Sequence, residues 1–294
     1  MRTAVNLSFT CVFALACAPV DPGHHSRLES GWDEPTDETH APMQRAVSNP
    51  GFAFIDVDGD RRYDTSVDTP AVLDASGSLS TPHSVVVPHE RGEVLLWSDE
   101  AVTLDIGGDL YLYGTIGCDN PCTGGSGSSD CIIDISVAGD LDAKSKGAVY
   151  ANAQTGSAEL NIWVGGDLEL RSVELEATHG TGSTAAATVD LQAEGEVDAL
   201  GADVILTGTG DRSLSISAGG DKLSLGRMDV DADDVLLHTC LSTTAGCAGV
   251  PIVDLRRFQL QSSAASLCLD GDDVSNASGT AVRTSRRTAS NTCL

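Results

Sequence analysis

The chain has 294 residues, with 43 acidic against 17 basic side chains, a formal charge of −26 and only 4% aromatic residues. That charge makes nucleic acid and anionic lipid headgroups poor partners on electrostatic grounds. Gly, Ala, Ser, Thr, Val, Leu and Asp fill the sequence and Lys is confined to Lys144, Lys146 and Lys222, the composition of a turn-rich all-β protein.

Residues 1–16 read as a signal peptide: "LSFTCVFALA" (Leu7 to Ala16) is an apolar run behind one cation, Arg2, and is too short to span a bilayer. The following "ALAC" (Ala14 to Cys17) offers an A-x-A cleavage site and also resembles the lipobox of bacterial lipoproteins. That resemblance implies a lipidated Cys17 and, with Ala18 rather than Asp after it, export to the outer membrane or cell surface. The protein is then held to a membrane by a lipid anchor rather than by a spanning helix. The alternatives are simple secretion and an unprocessed core segment. Residues 17–50 lack any apolar period and are rich in Pro, Glu and Asp, so they read as a disordered tether.

The next segment, 51–83, contains "IDVDGDRRYD" (Ile55 to Asp64). Its alternating acids resemble the D-x-D-G-D-x-x-x-D loops of FG-GAP and other extracellular calcium repeats. The resemblance implies side-chain oxygens from Asp56, Asp58, Asp60 and Asp64 and the backbone carbonyl of Arg62, an all-oxygen set suited to calcium. The loop departs from an EF-hand, because position twelve is Val67 rather than Glu; Asp68 substitutes only if the backbone bends differently. The ion's expected role is structural, fixing an N-terminal cap; the alternative is a plain acidic turn.

From 84 to 270 an internal repeat dominates. Its marker is a Gly-acid turn at Asp109, Asp140, Asp167, Glu196 and Asp221, spaced 31, 27, 29 and 25 residues apart. Counting back seven, five and three from each acid gives Val102/Leu104/Ile106, Ile133/Ile135/Val137, Leu160/Ile162/Val164, Val189/Leu191/Ala193 and Leu214/Ile216/Ala218, all apolar. Period-two alternation in one register predicts a strand with one face inward. A second strand follows (Leu110/Leu112, Leu141/Ala143, Leu168/Leu170, Val197/Ala199), slipping by one at Leu223/Leu225 as if Lys222 were an outward extra residue. A third pair appears at Val173/Leu175, Val204/Leu206 and Met228/Val230, and only loosely at Ala148 and Val149.

Three short strands per coil predict an all-β, right-handed, single-stranded parallel β-helix of about five to seven coils. "VVVP" (Val85 to Pro88) and "EVLLW" (Glu93 to Trp97) supply an entry coil; "PIVDLRRFQLQ" (Pro251 to Gln261) and "SLCLD" (Ser266 to Asp270) supply exit coils, and 271–294 is a C-terminal tail. The repeats resemble the "GGDL" coils of filamentous-haemagglutinin-type adhesins and, more loosely, pectin-lyase-like β-helices. The marker acids are expected to stack in one column, each bonding its own turn's amides while Gly supplies a positive φ; a cation-binding ladder is the alternative.

Small polar loops are expected after the third strands, at 117–130, 144–157, 178–187, 207–213 and 240–249, grouped on one edge where carbohydrate or protein recognition is usual or where insertions are merely tolerated. In an exported chain the body cysteines read as disulfides. Cys240 with Cys247 and Cys268 with Cys293 are the expected pairs; Cys118, Cys122 and Cys131 share one loop and leave one thiol over, or join Asp119 or Asp130 in a metal site. Two functions follow from the resemblances. One is a surface-anchored, non-catalytic, adhesin-like lipoprotein with a structural calcium loop. The other is a polysaccharide lyase or glycoside hydrolase of pectin-lyase-like fold, for which only "DD" of the hydrolase motifs occurs, at Asp233/Asp234 and Asp272/Asp273. The paired cations Arg256 and Arg257 read either as a lyase feature or as an edge with an ion pair to Asp254, and His179 and His238 as surface loop residues.

Overall fold

The computed structural model describes residues 50–90, 93–120, 130–144, 146–180, 184–239, 252–261, 266–269, 272–273 and 281–284. Those residues build three sheets of 9, 10 and 7 strands, without a helix. Apart from antiparallel pairs at the sheet ends, the neighbours along each sheet are successive coils paired in parallel, so the chain winds as a β-solenoid; the seven strands of the shortest sheet are separated by about six turns. The sequence repeat corresponds to one strand from each sheet.

The first sheet carries the fifteen alternating positions. Val102, Ile133, Leu160, Val189 and Leu214 pair in one continuous row, and the rows through Leu104 and Ile106 run beside it. All fifteen are at most 2% exposed. The row continues into Asp234–Thr239, whose Val235 and Leu237 pair with Leu214 and Ile216. β-branched and Leu side chains alternate here because each strand has one face on the core and one in water. The second sheet stacks Leu110, Leu141, Leu168, Val197 and Leu223 in the same manner. The slip in the last of these leaves Lys222 outward, with its Nζ 2.9 Å from Glu196 Oε2.

The third sheet reaches further than the apolar pairs suggest. Ala148–Ala153 is a full strand with Val149, Ala151 and Ala153 wholly buried, and Thr115–Asn120 and Glu174–His179 pair with it on either side. Residues 117–120, 150–153 and 178–179, expected in loops, are therefore strand, continuing from the loosely marked pair Ala148 and Val149. Their inward side chains are Cys, Asn, Ala and His, which carry little hydropathic signal.

The Gly-acid turns work differently from the expectation. Asp109 Oδ1 accepts the amide N–H of Asp140 at 2.9 Å, Asp140 Oδ1 that of Asp167 at 2.8 Å, and Asp167 Oδ1 that of Glu196 at 2.7 Å. Each carboxylate thus caps the next coil, not its own turn. The column begins at Ser84, whose hydroxyl accepts from Asp109 N–H at 3.0 Å, and ends at Glu196, whose side chain pairs with Lys222 instead. The glycine before each acid is needed for space: a Cβ at Gly139, Gly166 or Gly195 would overlap the carboxylate of the coil below. None of these three glycines has a positive φ. This explains why the second turn position is always Gly, while the first admits Ala138 and Glu194.

At the N-terminal end, Phe54–Asp56 pairs antiparallel with Ser84–Val87 and with Thr69–Pro70, covering the edge of the second sheet. Ser78–Thr81 joins the first sheet in parallel beside Ala101–Ile106. At the other end Ala281–Thr284 adds to the second sheet beside Ile252–Leu255.

Candidate functional site

The acid loop grows out of that antiparallel cap. Ile55 points into the main core, so Phe54 and Asp56 point to the opposite face, where Phe54, Val86 and Tyr111 form a second apolar cluster with Phe52, Tyr63 and Tyr113. Residues 57–68 fold back over it, and Asp56 and Asp68 end up 2% and 4% exposed. Arg61 pins the loop: its guanidinium lies 3.9 Å from the Tyr111 ring centre and its Nη2 donates to the Tyr111 hydroxyl at 3.1 Å. That hydroxyl donates to Asp109 Oδ2 at 2.7 Å, so the loop is tied to the foot of the carboxylate column.

The carboxylates that come together are those of Asp56, Asp58 and Asp68, with one oxygen of each within 4.8 Å of the others. Asp56 accepts from Gly59 N–H (3.0 Å) and Arg61 N–H (3.1 Å), and Asp68 from Val57 N–H (2.9 Å) and Asp64 N–H (2.8 Å). Of the other residues expected to bind the ion, Asp60 turns to Arg62 N–H at 2.7 Å and Asp64 to the amide and hydroxyl of Ser66 at 2.8 and 2.7 Å. The backbone turn at Asp64, where the amides of Val67 and Asp68 both bond its carbonyl, swings Asp68 inward to the place the sequence pattern gives to Asp60 and Asp64. Burial raises the Asp56 carboxyl above the ordinary carboxylate range; the amides of Arg61 and Gly59 oppose this, and the charges of Asp68 and Asp58 add to it. Each carboxylate oxygen that accepts one amide retains a second lone pair, and three hard oxygens converging at this spacing fit a divalent cation such as calcium.

A second concentration of polar groups lies on the outer face of the third sheet. Asn152 Nδ2 donates to Asp119 Oδ1 at 3.1 Å, and Asn152 Oδ1 accepts from the Thr178 hydroxyl at 3.2 Å, a ladder across three coils. In the adjacent row Tyr150 covers Gly117, where a Cβ would overlap its ring, and Glu176 pairs beside Tyr150. Desolvation raises both the Asp119 and the Glu176 carboxyls, and Glu174 adds to the second. The strands end together: Asn120, Ala153 and His179 pair in one row, so the connections after them leave from one edge. His179 is no surface loop residue, being 5% exposed at a strand end beneath Gly208, and His238 lies within the strand Asp234–Thr239.

Cys118 and Cys131 are disulfide-bonded, with Cα atoms 5.9 Å apart. Both sit in strands and are fully buried, rather than sharing a loop, and the bond closes the corner between the third and first sheets. Cys268 is also disulfide-bonded. Cys17, Cys122, Cys240, Cys247 and Cys293 lie outside the described residues. Arg256 pairs with Asp254, its Nε 2.9 Å from either carboxylate oxygen. No protein-family model, curated protein or solved structure matches this chain.

Proposed function

We propose that this is a surface-anchored, non-catalytic binding module, an adhesin-like lipoprotein whose acid loop holds a structural calcium ion. The row of strand ends at Asn120, Ala153 and His179 carries this reading, because a regular stack that sends successive connections out of one edge presents them together to a partner. Carbohydrate or protein is the ligand class suited to that edge, beside a sheet face already furnished with Tyr150, Asn152 and Thr178. The lipid anchor rests on "ALAC" ahead of the tether. Calcium adds charge balance to the Asp56, Asp58 and Asp68 cluster and locks the loop over the Phe54 cluster.

The decisive experiment displays the full chain on a bacterial surface and measures retention on glycan and matrix-protein arrays, with residues 154–157 and 180–186 exchanged for Gly-Ser segments. Retention that survives both exchanges refutes the edge as the contact surface. A polysaccharide-cleaving enzyme is the second reading, favoured by the raised Asp119 and Glu176 carboxyls on one sheet face. Release of new reducing ends or unsaturated products from an arrayed polysaccharide, abolished by Glu176→Gln, would replace the first reading by this one.

A further inference from the structure

Between residues 93 and 270 the chain carries eight cations, and six of them, Lys144, Lys146, Arg171, Arg227, Arg256 and Arg257, fall in one place: the turns from the second sheet to the third. The turns stack coil on coil, Ser172 N–H bonding Leu200 O, Gly201 N–H bonding Gly226 O and Arg227 N–H bonding Arg256 O. An acidic chain therefore displays a basic stripe along one corner.

A column of acids on the second sheet runs beside this stripe. Asp142, Glu169, Asp198, Ser224 and Asp254 pair in sequence from coil to coil. The acids pair with three of the six cations. Lys144 is 2.6 Å from Asp142, Arg171 is 3.0 Å from Asp198, and Arg256 pairs with Asp254. The sixth coil breaks the rule, since Ser224 stands where an acid is due and the exposed Arg227 guanidinium has no hydrogen bond or ion pair among the described residues. An open groove of about 610 Å³ lies there, lined by Leu200, Ser224 and Gly226, by the cations Arg227, Arg256 and Arg257, and by the carboxylates of Asp198 and Asp254, which pair with Arg171 and Arg256.

Arg227 adopts a left-handed φ of 62°, as do Ser172, Gly201 and Arg257 at the same turn position of the other coils, so the turn holds each of these residues in one repeated backbone geometry. Arginine offers a planar pair of donors matched to two oxygens of one anion.

We propose that the groove at Ser224 and Arg227 binds a carboxylate or sulfate group, which takes the place of the missing acid with Arg227 as its anchor and the Ser224 hydroxyl as a second donor. The group is either a free small anion or a substituent of a glycan. This site is separate from the loop edge and the acid loop, and does not rest on the function proposed for them.

Titration calorimetry of the full chain with dextran sulfate, neutral dextran, sulfate and succinate tests it. The expected result is saturable binding of dextran sulfate but not dextran, weakened about tenfold by Arg227→Gly and by Ser224→Asp, and less than twofold by Lys144→Gln. Arg227→Gly retains a residue suited to the left-handed turn, and Ser224→Asp supplies the acid internally, so neither loss can be ascribed to unfolding if circular dichroism and melting match the wild type. Competition by sulfate or succinate identifies a free anion as sufficient; binding of the polymer alone identifies a glycan substituent. Absence of saturable binding to any of the anions, or equal loss from Lys144→Gln and Arg227→Gly, would overturn the site, the second because it indicates attraction to the whole stripe.

Discussion

Substitution of Gly166 by Ala probes the carboxylate column most sharply. The new Cβ would overlap Asp140 Oδ1 and press on the Gly139 carbonyl, while Asp140 Oδ1 is the acceptor for Asp167 N–H at 2.8 Å. Gly166 has no positive φ, so alanine is not penalised by the backbone itself, and its narrower unfolded ensemble favours the folded state by about 0.5 kcal/mol. Overpacking costs about 1 to 3 kcal/mol, and displacing a charged hydrogen bond about 1.5 kcal/mol. The net expectation is a loss of about 2 to 4 kcal/mol. Asp140→Ala alone removes a solvent-accessible bond and costs about 1 kcal/mol. Together the two changes should cost less than their sum by at least about 2 kcal/mol, since without the carboxylate the methyl has room and the hydrogen bond is lost only once. Urea unfolding followed by circular dichroism gives the four free energies, and hydrogen exchange at the Asp167 amide shows whether the bond itself opens. Strict additivity, or a neutral Gly166→Ala, would refute the steric origin of the Gly-acid signature.

Val164 is fully buried, so Val164→Asp places an unpaired charge in the core and should unfold the chain or cost more than about 4 kcal/mol, whereas Glu169→Lys, on the outer face, should change stability by less than about 1 kcal/mol; thermal melts distinguish them. The pH dependence of the acid loop follows from Asp56. Because its folded pKa is raised, it contributes stability that is fully present below the unfolded value of 3.8 and is lost as pH rises through the folded value. In chelator, exchange protection of the Val57 to Arg61 amides should therefore fall as pH rises through that window, and Asp56→Asn should remove the dependence. Labelled palmitate should enter the expressed protein and fail to enter Cys17→Ser; an unlabelled wild type would exclude the lipid anchor.

Much of the solenoid was legible because a core face repeated in one register writes itself as alternation, as at Leu160, Ile162 and Val164. The third sheet was less legible where Ala151, Ala153 and His179 face inward, since small or polar residues give no hydropathic period. The Gly-acid spacing announced a column, but that Asp140 bonds the amide of Asp167 depends on how coils stack, which no local pattern encodes. At the acid loop the sequence located the cluster and not its membership: a turn at Asp64 brings in Asp68 and leaves Asp60 and Asp64 bonded to neighbouring amides. The vacancy at Ser224 emerges only once five coils are aligned, because serine among aspartates is unremarkable along the chain.

Calcium binding by the acid loop is the proposal at the centre of the functional reading, and calorimetric titration of the full chain with calcium tests it most directly, in parallel with Asp68→Ala and Asp64→Ala. One site with a dissociation constant on the order of 10⁻⁴ M and a higher melting temperature is expected for the wild type and for Asp64→Ala, with both effects lost in Asp68→Ala. No heat from the wild type at millimolar calcium, or equal loss from the two substitutions, would contradict it.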